Sequence, residues 1–353
     1  MNFPMLSRIA LLSCALWLTA CSSDDDGPKT DADYSRAVAL QMHDVLGKDV
    51  KALHTAAVEL KAAAPNVDRG WTDADTAAIT ATTNAWIRAR SAYERSEGAI
   101  APIFPDIDAA IDARYDDFLE TYSPDGDPNL FDGERVTGMH AIERILFAKT
   151  TPQAVIDVEA TLPGYVAARW PESAEESKAF KNELCAQLVT DTAALEAEWA
   201  SNPIDLQSAF GGLIALMNEQ REKVRKAASA EEESRYAQRT LADIRDNLAG
   251  TRAAYALFQP WVRSKQGGAD VDASIQGAFK KLEDAYASLP GDAFPPLPAD
   301  FSAEAPTEAN LATDFGRLFA EVESAANPNR EGSVVHGMNQ AAVLMNFPEF
   351  VDQ

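Results

Sequence analysis

Cysteine is scarce in this 353-residue chain. Cys14, Cys21 and Cys185 are the only three, and no two have the spacing of a zinc-binding pair. Positive charge is also short: 31 Lys+Arg stand against 55 Asp+Glu, a formal net charge of −24 at pH 7. A body this acidic repels phosphate backbones and anionic head groups, so nucleic acid is not expected as a partner and cations are the natural guests. Beyond the first 20 residues no segment approaches 18 uninterrupted apolar residues, so no spanning helix is expected. Strand signals are nearly missing: β-branched residues are scattered, and no hairpin turn is flanked by alternating apolar residues. HExxH, GxSxG and glycine-rich phosphate loops are absent as well.

What is present begins at the N-terminus. Residues 1–20 carry one basic residue, Arg8, no acid, and an apolar stretch over 9–18 that ends in small residues at Cys21. That is a secretory signal peptide, too short to span a bilayer. Leu18-Thr19-Ala20-Cys21 resembles the lipobox of bacterial lipoproteins, which makes Cys21 the expected lipidated N-terminus. Ser22 and Ser23, with no aspartate directly after the cysteine, favour the outer over the inner membrane for a periplasmic, lipid-anchored protein. Residues 21–32 read as a flexible linker. With Cys14 removed and Cys21 lipidated, Cys185 has no partner for an internal disulfide and reads as a small buried hydrophobe.

The body is alanine-rich and helical in period. Val38, Met42, Val45, Val50, Leu53, Ala57 and Leu60 step by three or four, the mark of an amphipathic helix. A second helix is expected over 72–97, an irregular stretch over 98–133, and further helices near 138–147 and 174–199. After the Asn202-Pro203 break, helices are expected near 206–227, 231–262, 271–288, 308–325 and 334–344, with a proline-rich loop at 294–306. The expected fold is all-α: two antiparallel four-helix-type bundles, 33–201 and 202–353.

Four acidic groups carry candidate chemistry. Glu94 and Glu97, at i and i+3, share a helix face and can converge on one cation; flanked by Arg90 and Arg95, they also fit a solvated acidic face. His140 and Glu143 have the same spacing inside an otherwise apolar helix; a hydrogen-bonded core histidine is the alternative. Asp106, Asp108 and Asp112 lie on a connection that could close a site from above, or serve as turn and cap residues. Glu219 is one acid among many. Asp125-Gly126-Asp127 opens like a calcium loop, but Leu130 and Val136 occupy the positions that need glycine and glutamate. His336 has no acid close by in sequence and reads as structural.

Taken together, Tyr93-Glu94-Arg95-Ser96-Glu97, Asp106-Ile107-Asp108, Ala110-Ile111-Asp112-Ala113-Arg114 and Thr137-Gly138-Met139-His140-Ala141-Ile142-Glu143 resemble the imelysin family, whose GxHxxE motif stands here as Gly138, His140 and Glu143. Within it the likeness is to the EfeO/EfeM type, periplasmic components of bacterial iron uptake. Glu232-Glu233-Ser234-Arg235-Tyr236, with Leu241, Asp243, Asn247 and Gly250, is similar as well. Ser96 and Gly98 depart from the apolar or proline residues expected around the first pair. No copper-type domain precedes the bundle, which places the chain nearer the short members. The resemblance implies a carboxylate-lined metal site drawing on Glu94, Glu97, Asp112, His140, Glu143 and Glu219, in one site or two.

The leading expectation is a lipid-anchored, metal-binding protein of iron uptake. It would bind iron, with zinc as the other candidate ion, and hand it to an inner-membrane iron permease. Carboxylates plus an imidazole suit iron, manganese or zinc better than copper(I). An imelysin-like metallopeptidase is the alternative; HxxE lacks the second histidine of HExxH, so a base and a third ligand would have to come from Glu94, Glu97 or Asp112. A lipoprotein that binds an acidic polysaccharide through bridging cations, or a bundle with every acid solvated, are the readings without a resident site.

Overall fold

Thr30 opens the longest helix. Its hydroxyl accepts from Asp33 N–H while the Asp33 carboxylate accepts from Thr30 N–H, a reciprocal cap that satisfies two orphan donors of α1 (Asp31–Ala63). The computed structural model describes residues 29–121 and 128–350. The signal peptide, Cys21, the linker up to residue 28 and the Asp125-Gly126-Asp127 stretch lie outside the described residues. Helix α1 buries Val38, Met42, Leu46, Val50, Leu53, Ala57 and Leu60, so the stripe expected from the period faces the core.

Helix α2 (Thr76–Ile103) runs six residues beyond its expected end and carries Pro102 in its last turn. Ala99 and Ile100 are fully buried there, and their packing overrides the glycine and proline signals that suggested a break at residue 98. Two short helices follow where irregular chain was expected, α3 (Pro105–Asp112) and α4 (Tyr115–Thr121). Next come α5 (Gly138–Leu146), buried at every residue, and α6 (Gln153–Glu159). Helix α7 (Ala174–Ala179) continues through a π-helical turn, Phe180–Leu184, into α8 (Cys185–Ser201), whose Cys185 is fully buried.

Beyond the bend at Asn202, Asp205 caps α9 (Leu206–Lys226). Helix α10 (Thr240–Arg263) starts nine residues later than the expected 231. Residues 230–239 instead make a series of turns, with Ala230 and Gln238 at positive φ. Helix α11 (Gly268–Ala287), the short α12 (Glu308–Leu311), α13 (Asp314–Ala325) and α14 (Val334–Leu344) complete the chain. Thr313 caps α13, which splits the expected 308–325 helix in two.

No strand occurs among the described residues, and no helix among them is long and apolar enough to cross a membrane. Helices α1, α2 and α8 pack together with α3 and α5; α9, α10 and α11 pack with α13 and α14. The two groups share one continuous apolar core, because α2 lies against α9 and α10 as well as α1. The α2–α10 crossing is very close. A Cβ on Gly250 would stand 1.9 Å from the Arg95 carbonyl oxygen, so only glycine lets the two backbones meet there. This crossing sets Asp243 and Asn247 of α10 beside Glu94 of α2.

Gly250→Ala should therefore lower stability by about 2–4 kcal/mol, since backbone on both sides must shift. Gly277→Ala, at an exposed position of α11 where a Cβ meets nothing within 4 Å, should raise it by about 0.5–1 kcal/mol. Denaturant unfolding of both variants checks the pair; equal effects would contradict the close crossing.

Candidate metal centre

Five pieces of chain converge at the level of that crossing. Helix α2 presents Arg90, Glu94 and Glu97 on one face, all buried rather than solvated. Helix α3 ends at Asp112. Gly138 opens α5 at φ +82°, and a Cβ there would stand 2.5 Å from the Ile111 carbonyl oxygen. The glycine of the GxHxxE motif thus seats α5 on the end of α3 and carries His140 to Asp112. The turns at 230–239 contribute Glu233, and α9 contributes Glu219 and Lys223.

His140 is 2% exposed and held from behind. Its Nδ1 donates to Glu143 Oε2 at 2.7 Å, and Glu143 Oε1 accepts from Ala237 N–H at 2.8 Å. The other nitrogen, Nε2, has no hydrogen-bond partner. It faces Asp112 Oδ1 at 3.4 Å and Glu233 Oε1 at 3.8 Å. One ligand atom from each of Asp112, His140 and Glu233 lies within 4.8 Å of the others. A nitrogen and two carboxylates held this way are a donor set for a borderline divalent or trivalent ion, with the histidine oriented by a carboxylate behind it.

Two cations hold the surrounding acids. The Arg90 guanidinium pairs with Glu94 and Asp112, reaches Glu233 Oε1 at 2.6 Å, and stands 3.8 Å from Asp243 Oδ1. Lys223 Nζ pairs with Glu233 Oε2 at 2.8 Å and lies 3.7 Å from both Glu94 Oε2 and Glu97 Oε2. Asn247 Nδ2 bridges the helix pair, donating to Glu94 Oε2 at 2.6 Å and Glu97 Oε2 at 2.9 Å. A cavity of about 170 Å³ opens from Asp112, Glu97, Lys223 and Glu233 toward Glu219 and Glu222.

All six expected residues therefore gather in one region, in different places. Asp112 and His140 belong to the donor trio. Glu143 stands behind the imidazole, Glu94 and Glu97 lie across Arg90 and Lys223, and Glu219 is at the cavity mouth. Asp108 sits beside them, accepting from Tyr93 O–H at 2.8 Å. His336 is elsewhere, in the first turn of α14: its backbone N–H donates to the hydroxyl of the Ser333 cap, and its Nε2 lies 3.1 Å from Gln340 Nε2. Ser96 turns inward and donates to its own helix at Ala92 and Tyr93 carbonyls. Sequence reasoning missed Glu233, Asp243, Asn247, Arg90 and Lys223 as parts of the centre. The Glu232–Tyr236 segment and Asp243 and Asn247 stood within the family likeness; Arg90 was legible as a partner of Glu94 at i, i+4, and Lys223 by no signal.

The imelysin family model matches residues 39–321 of this chain. The chain belongs to the imelysin family. It is similar to the iron uptake system component EfeO of Escherichia coli and that of Shigella flexneri, each 25% identical over 194 residues. Those matches cover 55% of this chain and 40% of the relative, so the chain matches less than half the length of these curated relatives. A crystal structure described as an iron-regulated protein A precursor from Parabacteroides distasonis has the same fold, with a TM-score of 0.51 and 15% identity over 90% of this chain and 96% of that one.

Burial and neighbouring charge split the carboxylates of this imelysin centre into two sets. Burial would raise Asp112, but Arg90 and His140 hold it below the usual carboxylate range. Burial works against Glu233 in the same way, and Lys223 and Arg90 hold it well below. Burial pushes Glu97 up to about 8 despite Lys223, with Glu233, Glu219 and Asp112 adding to the rise. It also pushes Asp108 up to about 7, helped by Asp112, and Glu232 up to about 7. Burial disfavours the imidazolium of His140, yet Asp112 and its hydrogen bonds raise the ring well above its ordinary value.

Each raised group binds a proton in the folded protein over a range where the unfolded chain has released it. Stability from these groups is fully present on the acid side and is lost as pH rises through about 7–8. Asp112 and Glu233, being lowered, lose theirs only as pH falls below the ordinary carboxylate range. The imelysin fold without metal should thus melt at a higher temperature at about pH 5.5 than at about pH 8. Glu97→Gln should narrow that gap and stabilise the protein at the higher pH by on the order of 1–2 kcal/mol. Calorimetry at both pH values decides; the opposite order would contradict the buried acids.

Proposed function

We propose that this protein is a lipid-anchored periplasmic component of iron uptake that binds iron at Asp112, His140 and Glu233 and passes it to an inner-membrane permease. The observation that carries this reading is the His140 Nε2 atom: buried, without a hydrogen-bond partner, and aimed at two carboxylate oxygens. A metal ion between the three donors would take the place of the Nε2 proton, which the ring must release to become a ligand. Glu143 is the orienting group that fixes the ring, Glu97 and Glu219 line the approach with carboxyl oxygens, and Glu94 stands behind them, paired with Arg90. Oxygen and imidazole donors accept iron and zinc alike; the iron-uptake names of the EfeO relatives favour iron. Cys21, in the lipobox-like sequence, would carry the lipid.

Titration calorimetry of the chain lacking residues 1–21, with anaerobic Fe²⁺, Fe³⁺, Zn²⁺ and Cu²⁺, tests the reading. One ion per chain is expected, with iron preferred. His140→Ala and Glu233→Gln should each weaken binding by about tenfold to a hundredfold. No binding by the intact protein, or undiminished binding by both variants, overturns the site. Metal-dependent cleavage of a peptide substrate, lost in Glu143→Gln, would shift the function to that of a peptidase. In the full chain, Cys21→Ser should move the protein from the membrane fraction to the soluble periplasm, and unchanged fractionation would remove the anchor.

A further inference from the structure

The second cation of the centre, Lys223, differs from the first in ways that suit a moving part. Arg90 is 1% exposed, and its planar fork is divided among Glu94, Asp112 and Glu233. It has nowhere to go. Lys223 reaches in on a flexible four-carbon stem and ends at the wall of the cavity rather than behind it. Its ammonium donates to Glu233 Oε2 at 2.8 Å and to Asn247 Oδ1 at 3.1 Å, and stands 3.7 Å from Glu94 Oε2 and Glu97 Oε2. Glu233 is thus shared: Oε1 pairs with Arg90 and faces His140, and Oε2 is held by the ammonium.

We propose that Lys223 is a tethered cation that occupies the carboxylate bowl of Glu94, Glu97 and Glu233 until a metal ion displaces it into the cavity mouth. This rests on the metal-binding reading above and adds how the ion enters and leaves. His140 Nε2, which makes no hydrogen bond, marks where an ion has its nitrogen donor; of the two cations that hold Glu233, Arg90 on Oε1 and Lys223 on Oε2, the ammonium is the one with room to move away and free an oxygen. Glu219 lies four residues earlier on the same helix face, with the acid N-terminal to the lysine, the favourable order for an i, i+4 pair. Glu219 lines the mouth and offers the displaced ammonium a new partner, beside Glu222, which is paired with Lys226 at 2.7 Å. Burial works against the ammonium, and Glu233, Glu97 and Glu94 keep it charged in place. Such a resident cation scales the apparent affinity for the metal by the fraction of time the bowl is free of it, which favours release to a partner.

Amine acetylation followed by mass spectrometry on the intact mature protein reads the position of Lys223 directly, with exposed Lys280 as reference. Lys223 should be labelled slowly without metal and about tenfold faster at saturating anaerobic Fe²⁺, with Lys280 unchanged. Lys223→Met should bind Fe²⁺ about tenfold more tightly. Fe²⁺ binding that depends on His140 but leaves Lys223 labelling unchanged overturns this proposal and leaves the metal site standing, as does a folded Lys223→Met that binds no more tightly. No Fe²⁺ binding by the intact protein overturns both. If Lys223→Met does not fold, the labelling of the unaltered chain decides.

Discussion

One buried guanidinium ties the centre to the fold. Arg90 pairs with Glu94 on its own helix, with Asp112 at the end of α3 and with Glu233 in the turns before α10. These carboxylates come from both sides of the Asn202 bend, so the same cation joins the two groups of helices and aligns the donors. Arginine suits this place because it stays charged and offers five donors in a rigid plane. Without it several carboxylates would be buried unpaired, which is the expensive half of any buried ion pair. The positions of His140, Glu233 and the cavity all presuppose it.

Around this fixed cation the interior follows a different electrostatic rule from the surface. The chain as a whole carries −24, yet the acids of the centre are matched by Arg90, Lys223 and the raised imidazole of His140, and those that are not matched keep their protons. A low-dielectric pocket cannot hold many bare carboxylates, so it recruits cations or neutralises the acids. The two recruited cations have different stiffness. One is part of the frame, and the other borders open space.

The GxHxxE motif becomes a set of geometric requirements. Gly138 permits the close seating of α5 on α3, His140 supplies the nitrogen, and Glu143 orients the ring from behind. Glu143 is itself held by the Ala237 N–H of the same turns that carry Glu233. Those turns are anchored in their own right: Tyr236 O–H donates to Glu159, which also pairs with Arg144 at 2.9 Å, and Arg144 lies 3.9 Å from the centre of the Tyr115 ring. Support for the imidazole and placement of Glu233 are therefore one structure.

The helices were legible wherever apolar residues recur with helical period, as along Val38 to Leu60, because burial of one face is a local pattern. Boundaries were legible only where local chemistry decided them. At Gly98 and Pro102 packing carried α2 onward, and at residues 231–239 buried acids and turns replaced an apparent helix. Of the centre, the sequence showed what spacing can show: the pairs Glu94/Glu97 and His140/Glu143, each on one helix face. Glu233 lies in turns with no period, and Arg90 beside acids looks the same whether buried or solvated. By itself, then, the sequence determined an acidic, all-helical body with carboxylate and histidine pairs on particular faces. Only the tertiary structure decided which faces meet and which charges lose their water, because both depend on helix crossings such as that at Gly250, formed by residues far apart in the chain.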